Sequence, residues 1–349
     1  MPRPSVYWLL VFVPVSLVFE FVLKQPVAIF ATSCVAILPL AALLGRATDE
    51  LAIHSGPRVG GLLNATFGNI TELIISILLV AAGEFTVVKA SLIGSIVGNL
   101  FLVLGASILA GGLRFREQEF SVRSAGVHSS SLLLAVAALL MPAIFVNTTP
   151  STPSQRLVIS AVVAVVLIVL YGAALLFTLV THVHLFRAPA SDEQADWSFR
   201  RAILVLLLAA IVVGVESEFL VGSLEPTVRS LGLSKVFVGL VIVAIIGNAA
   251  EHASAVFFAI RNKMDVAVEI SFGSSTQIAL FVAPLLVFVS LAIGRPMDFV
   301  FSGLEVVAVA LATIIVAAIV VDGRSNWLEG AQLLGAYVII ATTFFFVGA

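Results

Sequence analysis

The chain has 349 residues, 60% of them hydrophobic and 11% charged, with a formal net charge of −2. A soluble domain carries about 25% charged residues, so the composition excludes one and indicates a polytopic membrane protein, with nothing in the charge that calls for nucleic acid. One cysteine, Cys34, excludes an intramolecular disulfide and a cysteine-built metal site.

A helix needs about 20 apolar residues to cross a bilayer. Eleven such runs are predicted, over residues 5–23, 27–45, 60–83, 88–111, 124–146, 156–181, 201–221, 235–260, 266–293, 299–321 and 327–348. The expected fold class is therefore all-α. The first run is not read as a signal peptide, because no small-residue cleavage pattern follows it and many more spans do. The connections carry breakers and charges, as in Lys24-Gln25-Pro26, Ser55 to Arg58, Arg114 to Glu117 and Asn147 to Ser154. The longest polar stretch lies between spans six and seven and carries Asp192, Glu193 and Asp196. His182, His184, Glu84, Glu216, Glu218, Glu269 and Glu305 are read as lying near span ends, where they reach the interface or water. Twelve of the 18 Lys and Arg residues fall on the N-terminus and the even-numbered loops. That bias places the N-terminus in the cytoplasm and the C-terminus outside.

Two stretches repeat. Gly68-Asn69-Ile70-Thr71-Glu72 in span three matches Gly247-Asn248-Ala249-Ala250-Glu251 in span eight at a shift of 179 residues. The same shift aligns Gly94-Ser95 in span four with Gly273-Ser274 in span nine. The copies are five spans apart, an odd number, so they enter the membrane in opposite directions. Inverted-topology repeats of this kind build secondary transporters, with the binding site at the midplane between the halves. The expected organisation is an extra N-terminal helix over 1–25, a first five-helix repeat over 26–186, a cytoplasmic linker over 187–200 and a second, inverted repeat over 201–349.

An ionisable side chain at mid-membrane costs roughly 2.5–3.5 kcal/mol on insertion scales and marks a functional site by default. Glu72 and Glu251 are such residues. Residues i and i+3 share a helix face, so Asn69 lies with Glu72 and Asn248 with Glu251. The preceding glycines can loosen the helix and free backbone carbonyls, which is tolerated at this depth only where backbone lines a cavity or is buried in protein. Ser91, Ser95 and Asn99 in span four, and Ser271, Ser274, Ser275 and Gln277 in span nine, add polar strips. Carboxylates with amide and hydroxyl oxygens and no sulfur suit hard cations, and Ca²⁺ takes 6–8 oxygens. Softer metals would favour cysteine or clustered histidine. Two bare carboxylates facing each other in low dielectric repel. An empty site would take up protons and a divalent cation would expel them, which are the makings of a cation/proton antiporter. Any single serine can equally be a helix–helix contact. His252 points about 100° around the helix from Glu251 and is either a packed histidine or a proton relay.

The pair GNITE and GNAAEH, with VVKASLIGSIVGN after the first and ISFGSSTQIALF after the second, resembles the CAX family, the Ca²⁺/H⁺ exchangers of the calcium/cation antiporter superfamily. The resemblance runs from span two to the end of the chain. It implies cation ligation by Asn69, Glu72, Asn248 and Glu251, with Ser95, Ser274 and Gln277 contributing, and proton coupling through Glu72, Glu251 and His252. It also implies that spans two and seven slide against the rest. Eukaryotic members carry a long acidic segment between spans six and seven; the short linker here suggests a prokaryotic member in the cell (inner) membrane. Partners are then Ca²⁺, H⁺ and the lipid bilayer, with a homo-oligomer left open, and no cofactor is expected because Ca²⁺ is the transported substrate. Exchange of Na⁺ or K⁺ for H⁺, or of Na⁺ for Ca²⁺, is the alternative within the superfamily. An enzyme is not expected, since none of the five histidines forms the HExxH pair of an intramembrane metalloprotease. A passive channel usually surrounds its pore with rings of subunits, which an internal inverted repeat does not suggest.

Overall fold

A computed structural model describes residues 6–183 and 195–347. Among them, ten helices are long and apolar enough to cross a membrane, and a bent helix pair supplies an eleventh span. In chain order these are α1 (Val6–Leu23), α2 (Pro26–Gly56), α3 (Val59–Ala82), α4 (Phe85–Gly112), α5 (Val122–Thr148), α6 (Pro153–Thr181) and α7 (Phe199–Leu231). The bent pair, Lys235–Gly247 with Ala249–Ala259, is α8, and α9 (Met264–Ala292), α10 (Gly303–Asp322) and α11 (Trp327–Phe345) complete the set. Residues 187–194 of the expected linker, with Asp192 and Glu193, and the interfacial residue His184 lie outside the described residues.

The helix ends follow from local chemistry. Ser121, Ser198 and Ser234 cap the starts of α5, α7 and α8. Thr152 with Gln155, Ser302 with Glu305 and Asn326 with Glu329 form reciprocal capping boxes on α6, α10 and α11. Such caps satisfy backbone N–H groups that the first turn leaves unpaired. Gly83 and Gly232, at φ 81° and 64°, close α3 and α7 in the left-handed conformation open to glycine.

Contacts between chain segments fix which ends lie together. Lys235 Nζ, at the start of α8, sits 2.9 Å from Glu84 Oε2, just after α3. Gln118, after α4, donates to Asn262 Oδ1, after α8, at 3.0 Å. Gln118–Glu119 (β1) also pairs antiparallel with Arg324–Ser325 (β2), between α10 and α11. The end of α3 and the start of α8 therefore share one face, while the connections after α4, α8 and α10 share the other, as oppositely directed copies require.

The buried apolar residues fall into two cores. The larger joins α3 to α6 with the second half of the chain. The smaller is shared by α2 and α7, through Leu40, Leu44, Ala47 and Leu51 against Ala202, Leu206, Ala209 and Val213. Two expected span ends change, one in each core. The second span, expected to stop near residue 45, runs as helix to Gly56, since Ala47 and Leu51 keep packing on the α7 side. The seventh, expected to stop near residue 221, runs through Pro226 to Leu231. Glu216 is therefore not near a span end, contrary to the sequence expectation; it is fully buried near the middle of α7.

Candidate functional site

The two repeated motifs break their helices at the asparagine. Asn69 (φ −97°, ψ 25°) and Asn248 (φ −105°, ψ 11°) leave helical geometry, whereas Gly68 keeps it. The expectation that the glycines themselves unwind is corrected on this point. A new helix starts after each asparagine, at Ile70 and at Ala249, with Glu72 and Glu251 in its first turn. A helix N-terminus favours negative charge there. Neither asparagine side chain caps its own helix, which leaves both free to reach across to the other half.

The cross-links have a pseudo-twofold pattern. The Ser95 hydroxyl on α4 donates to Glu72 Oε1 in its own half. It accepts from Asn248 Nδ2 of the other half at 3.0 Å. Ser274 on α9 lies 2.8 Å from Glu251 Oε2 in its own half and 3.1 Å from Asn69 Oδ1 of the other. Each serine thus ties the carboxyl of one repeat to the asparagine of its partner repeat. Two further amides have no counterpart under the 179-residue shift. Gln277 Oε1 accepts from Asn69 Nδ2 at 2.6 Å, and Asn99 Nδ2 donates to Ser274 Oγ at 3.0 Å. The matching positions are Gly98 and Ile278. Both amides stand where α4 and α9 widen into π-helical turns, Gly98–Val103 and Ile278–Val282. Such turns frequently occur at functional sites.

All seven expected cation-binding residues, Asn69, Glu72, Asn248, Glu251, Ser95, Ser274 and Gln277, therefore meet in one network. Glu72 packs on the second motif itself, its Cβ 3.4 Å from where a Cβ on Gly247 would stand. Among the described residues no third acidic, imidazole or thiol group joins Glu72 and Glu251 in a metal-holding cluster. His252 is not in the network; its backbone N–H restarts the helix on Asn248 O at 3.0 Å, and no hydrogen bond of its ring to a described residue is found. Asn99 belongs to the network although the sequence marked it only as part of a polar strip; its position four residues after Ser95 was the available signal. Ser91, Ser271 and Ser275 instead bond carbonyls of their own helices. The nearby lysines are held elsewhere, Lys89 by Asp298 and Lys235 by Glu84 and Glu225.

The surroundings of the site are open in one direction. Toward the face of Glu84 and Lys235, α8 lies tight on α4: an added Cβ on Gly94 would overlap the Leu240 backbone, and one on Gly239 would stand 2.5 Å from Val87 O. Toward the opposite face, Asn64 and Gly68 are exposed and Glu251 and Gln277 half-buried.

The family described as sodium/calcium exchanger protein matches this sequence over residues 25–180 and 201–346. The chain belongs to that family. It is 44% identical, over 357 residues, to a protein of Aphanothece halophytica named Ca(2+)/H(+) antiporter, covering 97% of this chain and 96% of the relative. It is 45% identical, over 339 residues, to the Ca(2+)/H(+) antiporter ChaA of Bacillus subtilis (strain 168), covering 95% and 96%. The solved structure of native YfkE superposes with a TM-score of 0.87 at 42% identity, over 97% of this chain and 99% of that one. The kinship with Ca²⁺/H⁺ exchangers expected from the paired motifs holds, and these names describe transporters. The chain is an integral membrane protein of this family, built from helices that cross the bilayer.

Proposed function

We propose that this protein exchanges Ca²⁺ for H⁺ across a membrane by alternating access, at a midplane site built from Asn69, Glu72, Asn248 and Glu251. Ser95, Ser274 and Gln277 complete the oxygen set, and Glu72 and Glu251 carry the exchanged protons. The observation that carries this reading is the pair of serine bridges, each joining the carboxyl of one half to the asparagine of the other. A site assembled from both halves is remade or broken whenever the halves move against each other. Two carboxylates neutralise one divalent cation, or take up protons when it leaves, so the site stays near neutral in both states. The names of the antiporter relatives support Ca²⁺ and H⁺ as the ions. The test is an everted-vesicle assay that follows internal pH while Ca²⁺, Na⁺, K⁺ and Mn²⁺ are added in turn. Ca²⁺ should dissipate the acid interior; a response to Na⁺ or K⁺ without one to Ca²⁺ would overturn the reading.

The division into an N-terminal helix, two five-helix repeats (26–186 and 201–349) and a linker belongs to the same proposal. So does the orientation, with the face of Glu84 and Lys235 outside, the N-terminus in the cytoplasm of a prokaryotic cell and the C-terminus outside; the Lys and Arg bias supports it. In a Cys34→Ala background, Glu84→Cys and Lys235→Cys should react with an impermeant thiol reagent from outside, and Gly60→Cys and Asn262→Cys should not. The reverse pattern would invert the orientation.

A further inference from the structure

Apart from the cation site, another carboxyl is sealed within the helices. Glu216 has 0% exposure near the middle of α7, and α1 and α2 close over it. Ser16 Oγ of α1 lies 2.6 Å from its Oε1. Ser33 of α2 lies beside the same carboxyl, yet neither the Ser33 hydroxyl nor Glu216 Oε2 has a hydrogen-bond partner among the described residues. The adjacent Ser217 hydroxyl is likewise buried and without one.

The charged groups on the packed elements stand apart from it. On α2, Arg46, Asp49, Glu50 and His54 lie toward the far end. On α7, Arg200 and Arg201 lie at one end and Glu225 and Arg229 toward the other, with Glu218 exposed. On α1, Glu20 is half-buried a turn beyond Ser16, Lys24 is exposed just past the helix, and the Tyr7 hydroxyl is buried without a partner among the described residues. Cys34, a neutral thiol, follows Ser33. On α3, Ile70 and Ile74 pack toward α7 while Glu72 turns the other way, to Ser95. Among the described residues no cation is in place to neutralise an ionised Glu216.

The hydrogen bonds decide how the charge is avoided. Ser16 Oγ is also 2.7 Å from Val13 O, an acceptor with no proton of its own. A serine hydroxyl carries one proton, and two full hydrogen bonds of this length take two. One Ser16 proton could serve both acceptors only as a shared, weakened bond, whereas a proton on the carboxyl lets Ser16 donate to Val13 O and accept from Glu216, completing both contacts. An ionised carboxylate here would instead be buried, unpaired and short of donors, which is strongly unfavourable.

We propose that Glu216 is a second proton-binding site, separate from the cation site, which holds a proton while α1, α2 and α7 are packed as they are here. The ligand is H⁺ itself: carboxylate plus proton gives the carboxylic acid, and release returns the proton to water when the three helices part. The carboxyl lies where α1 and α2 meet α7, so loss of the proton weakens that packing.

The experiment is infrared spectroscopy of purified protein carrying Glu72→Gln and Glu251→Gln, at roughly pH 8, where exposed carboxyls are ionised. This background removes the cation-site carboxyls, so the outcome does not depend on the transport reading. A protonated-carboxyl C=O band that shifts in D₂O should be present, should be lost when Glu216→Gln is added, and should move without vanishing in Ser16→Ala. The melting temperature should fall as pH rises well above 8 in the parent, and the fall should be smaller in Glu216→Gln. No such band, a band that survives Glu216→Gln, or a band unmoved by Ser16→Ala would overturn the proposal. The Ser16→Ala spectrum decides the matter if the Glu216→Gln protein does not fold.

Discussion

Glu72 and Glu251 occupy the same position in two copies of one motif, yet their surroundings differ. Glu72 is 2% exposed, with one oxygen on Ser95 and the other without a partner among the described residues. Glu251 is half-buried, follows a 62° bend in α8, and shares Ser274 with Asn69 and Asn99. The glycines carry the same contrast. Gly94 is pressed on the α8 backbone at Leu240, and its repeat mate Gly273 has nothing within 4 Å of an added Cβ. The position matching Leu240 is Gly61, on α3, which instead approaches Leu179. One end of the site is therefore clamped by helix packing and the other is not. An inverted repeat whose halves are related by symmetry in sequence must break that symmetry in any single state that faces one side of a membrane. The tight approach at Gly94 and the open space at Gly273 should interchange when the other side opens.

The largest expected effect tests whether the carboxyls are equivalent despite this difference. Glu72→Gln and Glu251→Gln should each reduce exchange to background in vesicles while the protein stays folded and inserted. Near-normal transport by either would make that residue structural and the symmetric assignment wrong.

Acidity comes next. Protons and Ca²⁺ compete for the same oxygens, so each weakens the binding of the other. Apparent Ca²⁺ affinity should fall as pH drops from about 9 to 5, by up to about tenfold per pH unit for each proton displaced. The two carboxyls should titrate as a coupled pair with macroscopic values only. Calorimetry with recorded proton release measures both quantities. Release that persists in the Glu72→Gln, Glu251→Gln double variant would send the protons by another route, with His252 the first residue to examine.

Packing supplies a smaller contrast. Gly94→Ala must push α8 off α4 and should cost about 1–3 kcal/mol, as overpacking usually does. Gly273→Ala should change stability by no more than about 1 kcal/mol, and in the stabilising direction, since alanine favours helix. Thermal unfolding in detergent separates the two; equal destabilisation would remove the clamped-versus-open distinction.

The smallest effect compares the two bridging serines. Ser274→Ala removes contacts to Glu251, Asn69 and Asn99, and Ser95→Ala removes those to Glu72 and Asn248. A net hydrogen bond is worth about 0.5–1.5 kcal/mol, so Ser274→Ala should weaken Ca²⁺ binding more than Ser95→Ala by roughly that amount. The reverse order, measured by Ca²⁺ titration, would place the weight of the site on the Glu72 side.

Legible in the sequence alone were the membrane class, the eleven apolar runs, the repeated motifs and the seven polar residues that meet in one network. Each is a local or periodic signal: apolar length against bilayer thickness, charge where charge is costly, and a 179-residue shift that keeps both motifs and the two Gly-Ser pairs in frame. Tertiary structure alone decided the rest. It placed the helix break on Asn69 and Asn248, brought Asn99 to Ser274, left the His252 ring outside the network, and carried α2 and α7 past their expected ends. The burial of Glu216 was hidden for the same reason. Polar residues such as Ser217, Glu218 and Glu225 read as a span end in one dimension, but they lie on a helix that continues because Leu220, Leu224 and Val228 stay buried in the larger core. Which hydroxyl meets which carboxyl depends on how two halves cross in space, and no spacing along one chain encodes that crossing.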